Sequence, residues 1–444
     1  MQTSRPRIGS LRPGRLLILA ASASTLWATA AWADVGVSKN GMELDVYGIL
    51  DIGLGHLDHS YSPSEVLAST VNPYNLNSSP KAFSGLYSGG ASMSRLGIKG
   101  DADLGNGFRA FFKLESAVDV NSGDLSNNGR TLYNNINGLT TANAASAIDG
   151  QPFSRNAYIG LSHTQYGSVE IGRTSNFSLD QVAAYDPLQA ALLFSPLGFS
   201  GAIGGGLGAT ENTRLDNSIR YENEIDHVHF GAQYKVAGSK GNQAAGSGYV
   251  AMLGYDHGPF SVEGTYSQTY NTVAWATTYS NVVAPNNHLR IENTTGYMVS
   301  GLYKVTPAGT LKIGYESSVI SAPSDQSLGN IQSYYGLYLP KAAQIMTGTE
   351  RFNTIWIGGD YRIIENLDVS LGYYNVDTFN KPELNKQYRS NIYSALADYK
   401  INKYFDVYAG AMMLQYDGIG LDKGAAVDAF PNNAMYGTGV RFRF

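Results

Sequence analysis

Between Met93 and Glu115 the chain changes character every second residue. Ser94, Leu96 and Ile98 fall on one face, and Met93, Arg95, Gly97 and Lys99 on the other. A polar turn at 101–107 reverses direction. Beyond it Phe108, Ala110, Phe112 and Leu114 share one face, and Arg109, Phe111, Lys113 and Glu115 share the other. Strict alternation on both sides of an Asp/Gly/Asn turn predicts an antiparallel hairpin. The apolar face carries no charge, while the opposite face mixes both signs. The same unit recurs at about 42–57, 91–100, 108–120, 153–163, 168–175, 213–223, 227–237 and 247–256. It continues at 259–271, 292–305, 309–320, 351–363, 366–379, 388–400, 403–416 and 434–444, which makes 16 runs.

The joins between these runs alternate in length. Seven are short, at 101–107, 164–167, 224–226, 257–258, 306–308, 364–365 and 401–402. Eight are longer, at 58–90, 121–152, 176–212, 238–246, 272–291, 321–350, 380–387 and 417–433. A soluble all-β protein has no reason to keep this order. Past residue 33 no window approaches 18 uninterrupted apolar residues, so no helical membrane span is expected. A chain that enters lipid without helices satisfies its backbone only as a closed barrel. The expected fold is therefore all-β, a 16-stranded antiparallel transmembrane barrel with short periplasmic turns and long extracellular loops.

The first 33 residues stand outside this pattern. Arg5, Arg7, Arg12 and Arg15 precede an apolar run from Leu16 to Ala31, and Ala31-Trp32-Ala33 is a small-x-small cleavage site. Residues 1–33 thus read as a secretory leader, with the mature barrel domain spanning 34–444. Removing the leader's four arginines from the 31 basic residues leaves 27 against 36 acidic ones, which argues against nucleic acid as a partner. With no cysteine, neither a disulfide framework nor a thiolate metal site is possible. Tyr61, Tyr221, Tyr255, Tyr361, Tyr399 and Tyr404 near strand ends suit interfacial girdles, where the ring sits in lipid and the hydroxyl in water.

Candidate chemistry is sparse. His227 and His229 lie two apart without a third metal ligand, which reads as a solvated lumen pair. GAIGGGLG at 201–208 lacks the lysine and helix of a phosphate loop. Asp119, Asn121 and Asp124 lack the closing glutamate of a calcium loop. The seven histidines sit in no nucleophile motif, so a barrel enzyme is disfavoured, and no cofactor or metal is expected.

Several segments carry a family resemblance: 46–51 (VYGILD), 94–100 (SRLGIKG), 103–107 (DLGNG) with 113–116 (KLES), and 155–161 (RNAYIGL). Residues 166–173 (YGSVEIGR), 216–221 (DNSIRY) and a terminal Phe continue it. In this order they resemble the trimeric general porins of Gram-negative outer membranes, proteobacterial and neisserial in type. The third long join, at 176–212, departs from that family in being longer and Gly-rich and in lacking a Pro-Glu-Phe-Gly signature. The resemblance implies a homotrimeric diffusion channel for small hydrophilic solutes and ions, lodged among outer-membrane lipid and lipopolysaccharide. It also implies that the third loop folds inward and that its acids face a basic wall. Arg95, Lys113, Arg155 and Arg214 are the candidates for that wall, and Asp180, Asp186 and Glu211 for the acids. Arg214 enters on shared parity with Asp216, Ser218 and Arg220. The alternative is a channel selective for one solute class, such as sugars or inorganic anions. Phe444, on the outward face with Tyr436, Thr438, Val440 and Phe442, resembles the signal read by the barrel-insertion machinery.

Overall fold

A computed structural model of the chain describes residues 35–39, 41–58, 82–121, 123, 125, 152–197, 214–236, 246–277, 287–323, 333–334, 337–338, 344–345, 348–381, 386–417 and 432–444. The barrel opens with β1 (Met42–Leu57) and with β2 in two pieces, Phe83–Ser88 and Arg95–Gly105. β3 (Phe108–Ala117), β4 (Asn156–His163), β5 (Gly167–Ser175), β6 (Arg214–Ile225), β7 (Val228–Lys235) and β8 (Gly248–His257) follow. The second half holds β9 (Phe260–Thr277), β10 (Asn287–Thr306), β11 (Gly309–Ser321) and β12 (Thr349–Ile364). It ends with β13 (Leu367–Lys381), β14 (Lys386–Lys400), β15 (Phe405–Asp417) and β16 (Asn432–Arg443). Each strand pairs antiparallel with the next. β16 then pairs with β1 from Arg443 opposite Ile49 to Met435 opposite Leu57, which closes a 16-stranded barrel. Closure leaves no edge whose amides would face lipid unpaired.

Local chemistry accounts for the turns and the faces. At the β2–β3 turn Asn106 and Gly107 take φ of 52° and 84°, the left-handed pair that a two-residue hairpin requires. The apolar residues are inside out. Ile159 is 67% exposed on the outer surface, whereas Trp356, on an inward face, is 0% exposed. Leu96, Ile98, Ile171, Leu311, Ile313, Ile357 and Leu371 are likewise exposed outward. In water this belt would be unfavourable; in hydrocarbon it is the solvent-matched face.

Three boundaries differ from the sequence expectation. The run at 91–100 is only part of β2, because Phe83–Ser88 pairs with β1 inside the expected long join 58–90. β9 and β10 stay paired to Thr277 and Asn287, well into the expected join 272–291. The alternation of apolar and polar residues is irregular across 272–291, so pattern alone stops both strands short. Third, residues 177–185 of the third loop form a helix, α1 (Phe177–Tyr185). Its start is set by Asn176, whose side chain accepts the Ser178 amide at 2.9 Å. Ahead of β1, Val35–Lys39 folds back on it as a short hairpin. Residues 1–33, Tyr61, 201–208 and Glu211 lie outside the described residues.

Candidate functional site: a basic wall facing the third loop

The described part of the third loop, residues 176–197, lies inside the barrel and runs along one half of its inner wall. On α1, Gln181 is 0% exposed; its Nε2 donates to the Glu263 carbonyl (2.7 Å) and Ser300 Oγ (2.6 Å), and its Oε1 accepts from Thr265 Oγ1 (2.7 Å). The Tyr185 hydroxyl meets Ser261 Oγ at 2.5 Å, and its carbonyl accepts Trp356 Nε1 at 3.0 Å. Beyond the helix Leu188, Ala191, Phe194 and Leu197 pack with Trp356, Tyr374, Tyr408 and Met412 into a buried apolar core. This core replaces water along that half of the lumen and holds the loop by ordinary burial.

The opposite wall, β2–β6, carries cations. Glu115, nearly fully buried, sits among three of them: Arg155 Nε at 2.6 Å, Lys113 Nζ at 3.8 Å and Arg95 Nε at 3.9 Å. The Tyr47 hydroxyl (2.7 Å) and Asn156 Nδ2 (3.3 Å) also donate to it. Arg173, on the next strand, donates from Nε to the Ser154 carbonyl at 2.8 Å and pairs with Asp216. Arg214 opens β6 opposite Ser175 and stands within electrostatic reach of Arg95, Arg155 and Arg173. Its Nε is buried with no hydrogen-bond partner among the described residues.

The described loop acids do not face this wall as free charges. Asp180 forms an ion pair with Arg220 at 2.7 Å, while the Arg220 guanidinium also lies 4.0 Å over the Phe177 ring and bonds Glu222 at 2.9 Å. Burial pushes the Asp180 carboxyl up, and Arg220 offsets that only in part. Asp186 is 0% exposed. It accepts the Tyr374 hydroxyl at 2.5 Å and the Ala190 amide at 2.6 Å, and its carbonyl accepts Lys312 Nζ at 3.0 Å. Burial raises its pKa as well, with the Tyr374 hydroxyl opposing. Asp186 thus sits in the seam between loop and wall, turned away from Arg95 and Arg155.

Two expectations change with the local backbone. The parity argument for Arg214 fails, because the left-handed Asn217 (φ 52°) and the register shift between Gly172 and Thr174 interrupt the alternation. Leu215, not Arg214, is the fully buried inward residue, packed with Phe177, Val250 and Met252. The same bulge brings Arg173 to the basic group, although strict alternation puts it on the outward face of Val169 and Ile171. His227 and His229 are also not a pair. His229 lies between Asp256 (3.3 Å) and Glu263 (3.0 Å), while His227 packs against the rings of Tyr255 and His257. Glu115, Arg173 and Arg220 are absent from the expected site. Glu115 stands in plain alternation with Lys113, so its inward face is legible, but its role as the shared counter-ion is not. Phe444 exchanges both backbone hydrogen bonds with Gly48, at 2.8 and 3.1 Å, and its ring lies over that glycine.

Known proteins share both the sequence and this architecture. An outer membrane porin protein of Bordetella pertussis is 26% identical over 372 residues, covering 82% of this chain and 76% of its own. Among solved structures, the anion-selective porin from Comamonas acidovorans superposes with a TM-score of 0.61 at 17% identity, covering 91% of this chain and all of its own. OmpT of Vibrio cholerae, in a structure described as its trimer form, gives a TM-score of 0.58 at 16% identity, covering 91% of this chain and all of its own. A family model described as Gram-negative porin matches residues 18–419, nearly the whole chain. The inside-out barrel, its inward third loop and that match agree: the chain belongs to the Gram-negative porin family, passive channels of the outer membrane.

Proposed function

We propose that this channel passes small hydrophilic solutes with a preference for anions, and that Arg95, Lys113, Arg155 and Arg214, joined by Arg173, set that preference. One observation carries the reading: Arg95, Lys113 and Arg155 converge on the single carboxylate of Glu115, with Arg173 on Asp216 and Arg214 beside them, while the other acids of this side, Glu170, Asp180 and Glu222, gather on Arg220 and Asp186 is held in the seam. The resulting excess of positive charge lies where the loop narrows the lumen. There the low-dielectric walls focus the field on a passing ion. The acidic excess of residues 34–444, 36 acidic against 27 basic residues, does not oppose this, because selectivity follows the charges lining the pore. The anion-selective neighbour supports the same direction. Purified protein in a planar bilayer under a KCl gradient is expected to reverse at a potential of the chloride sign. Reversal on the potassium side would overturn the reading. It joins the general-diffusion expectation to the anion form of the alternative.

The active unit we propose is a homotrimer of residues 34–444, freed of the leader 1–33 and surrounded by lipid and lipopolysaccharide. Leu44, Val46, Leu96 and Ile98 form an exposed apolar surface on β1 and β2 that suits packing against a neighbour, and the trimeric OmpT structure supports it. Native mass spectrometry of the outer-membrane protein is expected to give three copies, each beginning at Asp34. A monomer, or an intact leader, would contradict the assignment. Phe444 is proposed as the residue handed to the insertion machinery. Its deletion is expected to leave unfolded chain in the periplasm, and wild-type amounts of folded barrel would refute that role.

A further inference from the structure

Between the two pieces of β2 the chain leaves the wall. Ser88 pairs with Ile52 and Arg95 with Ile49, so residues 89–94 stand opposite only Leu50 and Asp51. The surplus folds inward around the Asp51 carboxylate, which is 0% exposed. Its Oδ1 accepts the Gly90 amide (3.0 Å) and the Tyr408 hydroxyl (2.5 Å), and its Oδ2 accepts the amides of Ala91 (3.1 Å) and Ser92 (2.7 Å). The Asp51 backbone holds the two ends: its carbonyl accepts the Gly89 amide at 2.9 Å, and its amide donates to Ser94 Oγ at 2.9 Å. Three backbone amides thus converge on one side chain, and without it they would be buried and unpaired.

This excursion touches both sides of the pore. Toward the third loop, the Gly90 carbonyl accepts the Leu193 amide at 2.9 Å, and Ala91 joins the loop's apolar core. Tyr408 meets Phe194 edge-on at 6.2 Å between centroids. The approach is close enough that a Cβ on Gly90 would overlap the Tyr408 hydroxyl and the Tyr87 ring, so a larger residue there would displace them. Toward the basic wall, Arg155 Nη1 points at Met93 Sδ, and the excursion runs directly into Arg95. Ser92 Oγ accepts Arg441 Nη1 at 2.7 Å.

We infer that Asp51 is a positioning residue for permeation: it holds 89–94 as a second inward element that fixes the third loop at Leu193 and the lie of Arg95 and Arg155, and so sets the width of the constriction. The width claim stands on its own, while its effect on ion preference rests on the anion reading above. The test compares single-channel conductance and KCl reversal potential for the wild type, Asp51→Asn and Tyr408→Phe as assembled channels. Asparagine puts an NH₂ against the amides of the excursion, and phenylalanine removes one donor while keeping the ring. The expected result is a conductance above wild type in both, larger in Asp51→Asn, with the reversal potential moved toward zero. A folded Asp51→Asn channel with wild-type conductance overturns the inference. If Asp51→Asn does not assemble, Tyr408→Phe decides, and its loss or its wild-type conductance each refute positioning in favour of a folding contact. A wild-type channel reversing on the potassium side would remove the anion reading and leave the conductance comparison intact.

Discussion

Two stretches of inner wall stand across the lumen from one another, built on the same alternating backbone and filled differently. On β2–β6 the inward positions include Arg95, Lys113 and Arg155 around Glu115; the 89–94 excursion touches Arg155, but the third loop's apolar core includes none of them. From β9 to β15 the inward positions include Trp356, Tyr374, Tyr408 and Met412, and the third loop lies on them. Cations crowded in a dry core would repel and lose their hydration, so the first stretch needs water. Large buried rings lose stability in water, so the second needs a cover. The side chains on one face therefore decide which half of the barrel becomes channel and which half becomes core.

The contrast predicts opposite responses to mutation. The largest effect is expected on the covered half. Trp356 is 0% exposed, fills the space where a Cβ of Gly314 would stand, and donates to the Tyr185 carbonyl. Trp356→Ala should cost about 3–5 kcal/mol of stability, by analogy with large-to-small core substitutions. Heat-modifiability on gels would read it as a clearly lower unfolding temperature, with raised single-channel conductance as the loop loosens. An unchanged unfolding temperature would break the comparison.

On the basic half the order should invert, with selectivity changed and stability kept. Arg155→Gln leaves Glu115 with Arg95, Lys113 and the Tyr47 hydroxyl, so no buried charge is stranded. One unit charge at 4 Å is worth about 1 kcal/mol in water, which is about fivefold in the anion-to-cation permeability ratio. Reversal potentials would measure the shift toward zero, and the gel assay should not move. If instead Arg155→Gln unfolds the barrel and leaves selectivity alone, the two halves are not distinguished in this way.

The smallest effect concerns pH at the seam. Burial raises the Asp186 carboxyl, so the folded state binds its proton more tightly than the unfolded chain. The stability it contributes is therefore fully present below the ordinary aspartate value of about 4 and is lost as pH rises through the folded value. Asp186→Asn, which cannot ionise, should gain on the wild type as pH rises through that window. Unfolding temperatures of both proteins across that range would show it. A wild type that gains on the mutant with rising pH would mean that the Tyr374 hydroxyl and the Ala190 amide outweigh burial.

Strand number, hairpin order and the outward faces were legible in the sequence, because lipid on one side and a lumen on the other impose a two-residue period that any reader can count. Arg95, Lys113 and Arg155 were legible for the same reason: each lies in or beside an unbroken alternating run. The period carries no information where the backbone leaves it. The bulge at Gly172 and Asn217 turned Arg173 toward the basic group and seated Leu215 where parity put Arg214. The inward excursion at 89–94 made Asp51 a hub for three amides that are remote from it in sequence. The partners of Asp180 and Asp186 come from strands 40 residues or more away, Arg220 on β6 and Tyr374 on β13, with separations of 40 and 188. Such pairings depend on where closure of the whole barrel brings distant faces together, and only the tertiary structure decides that.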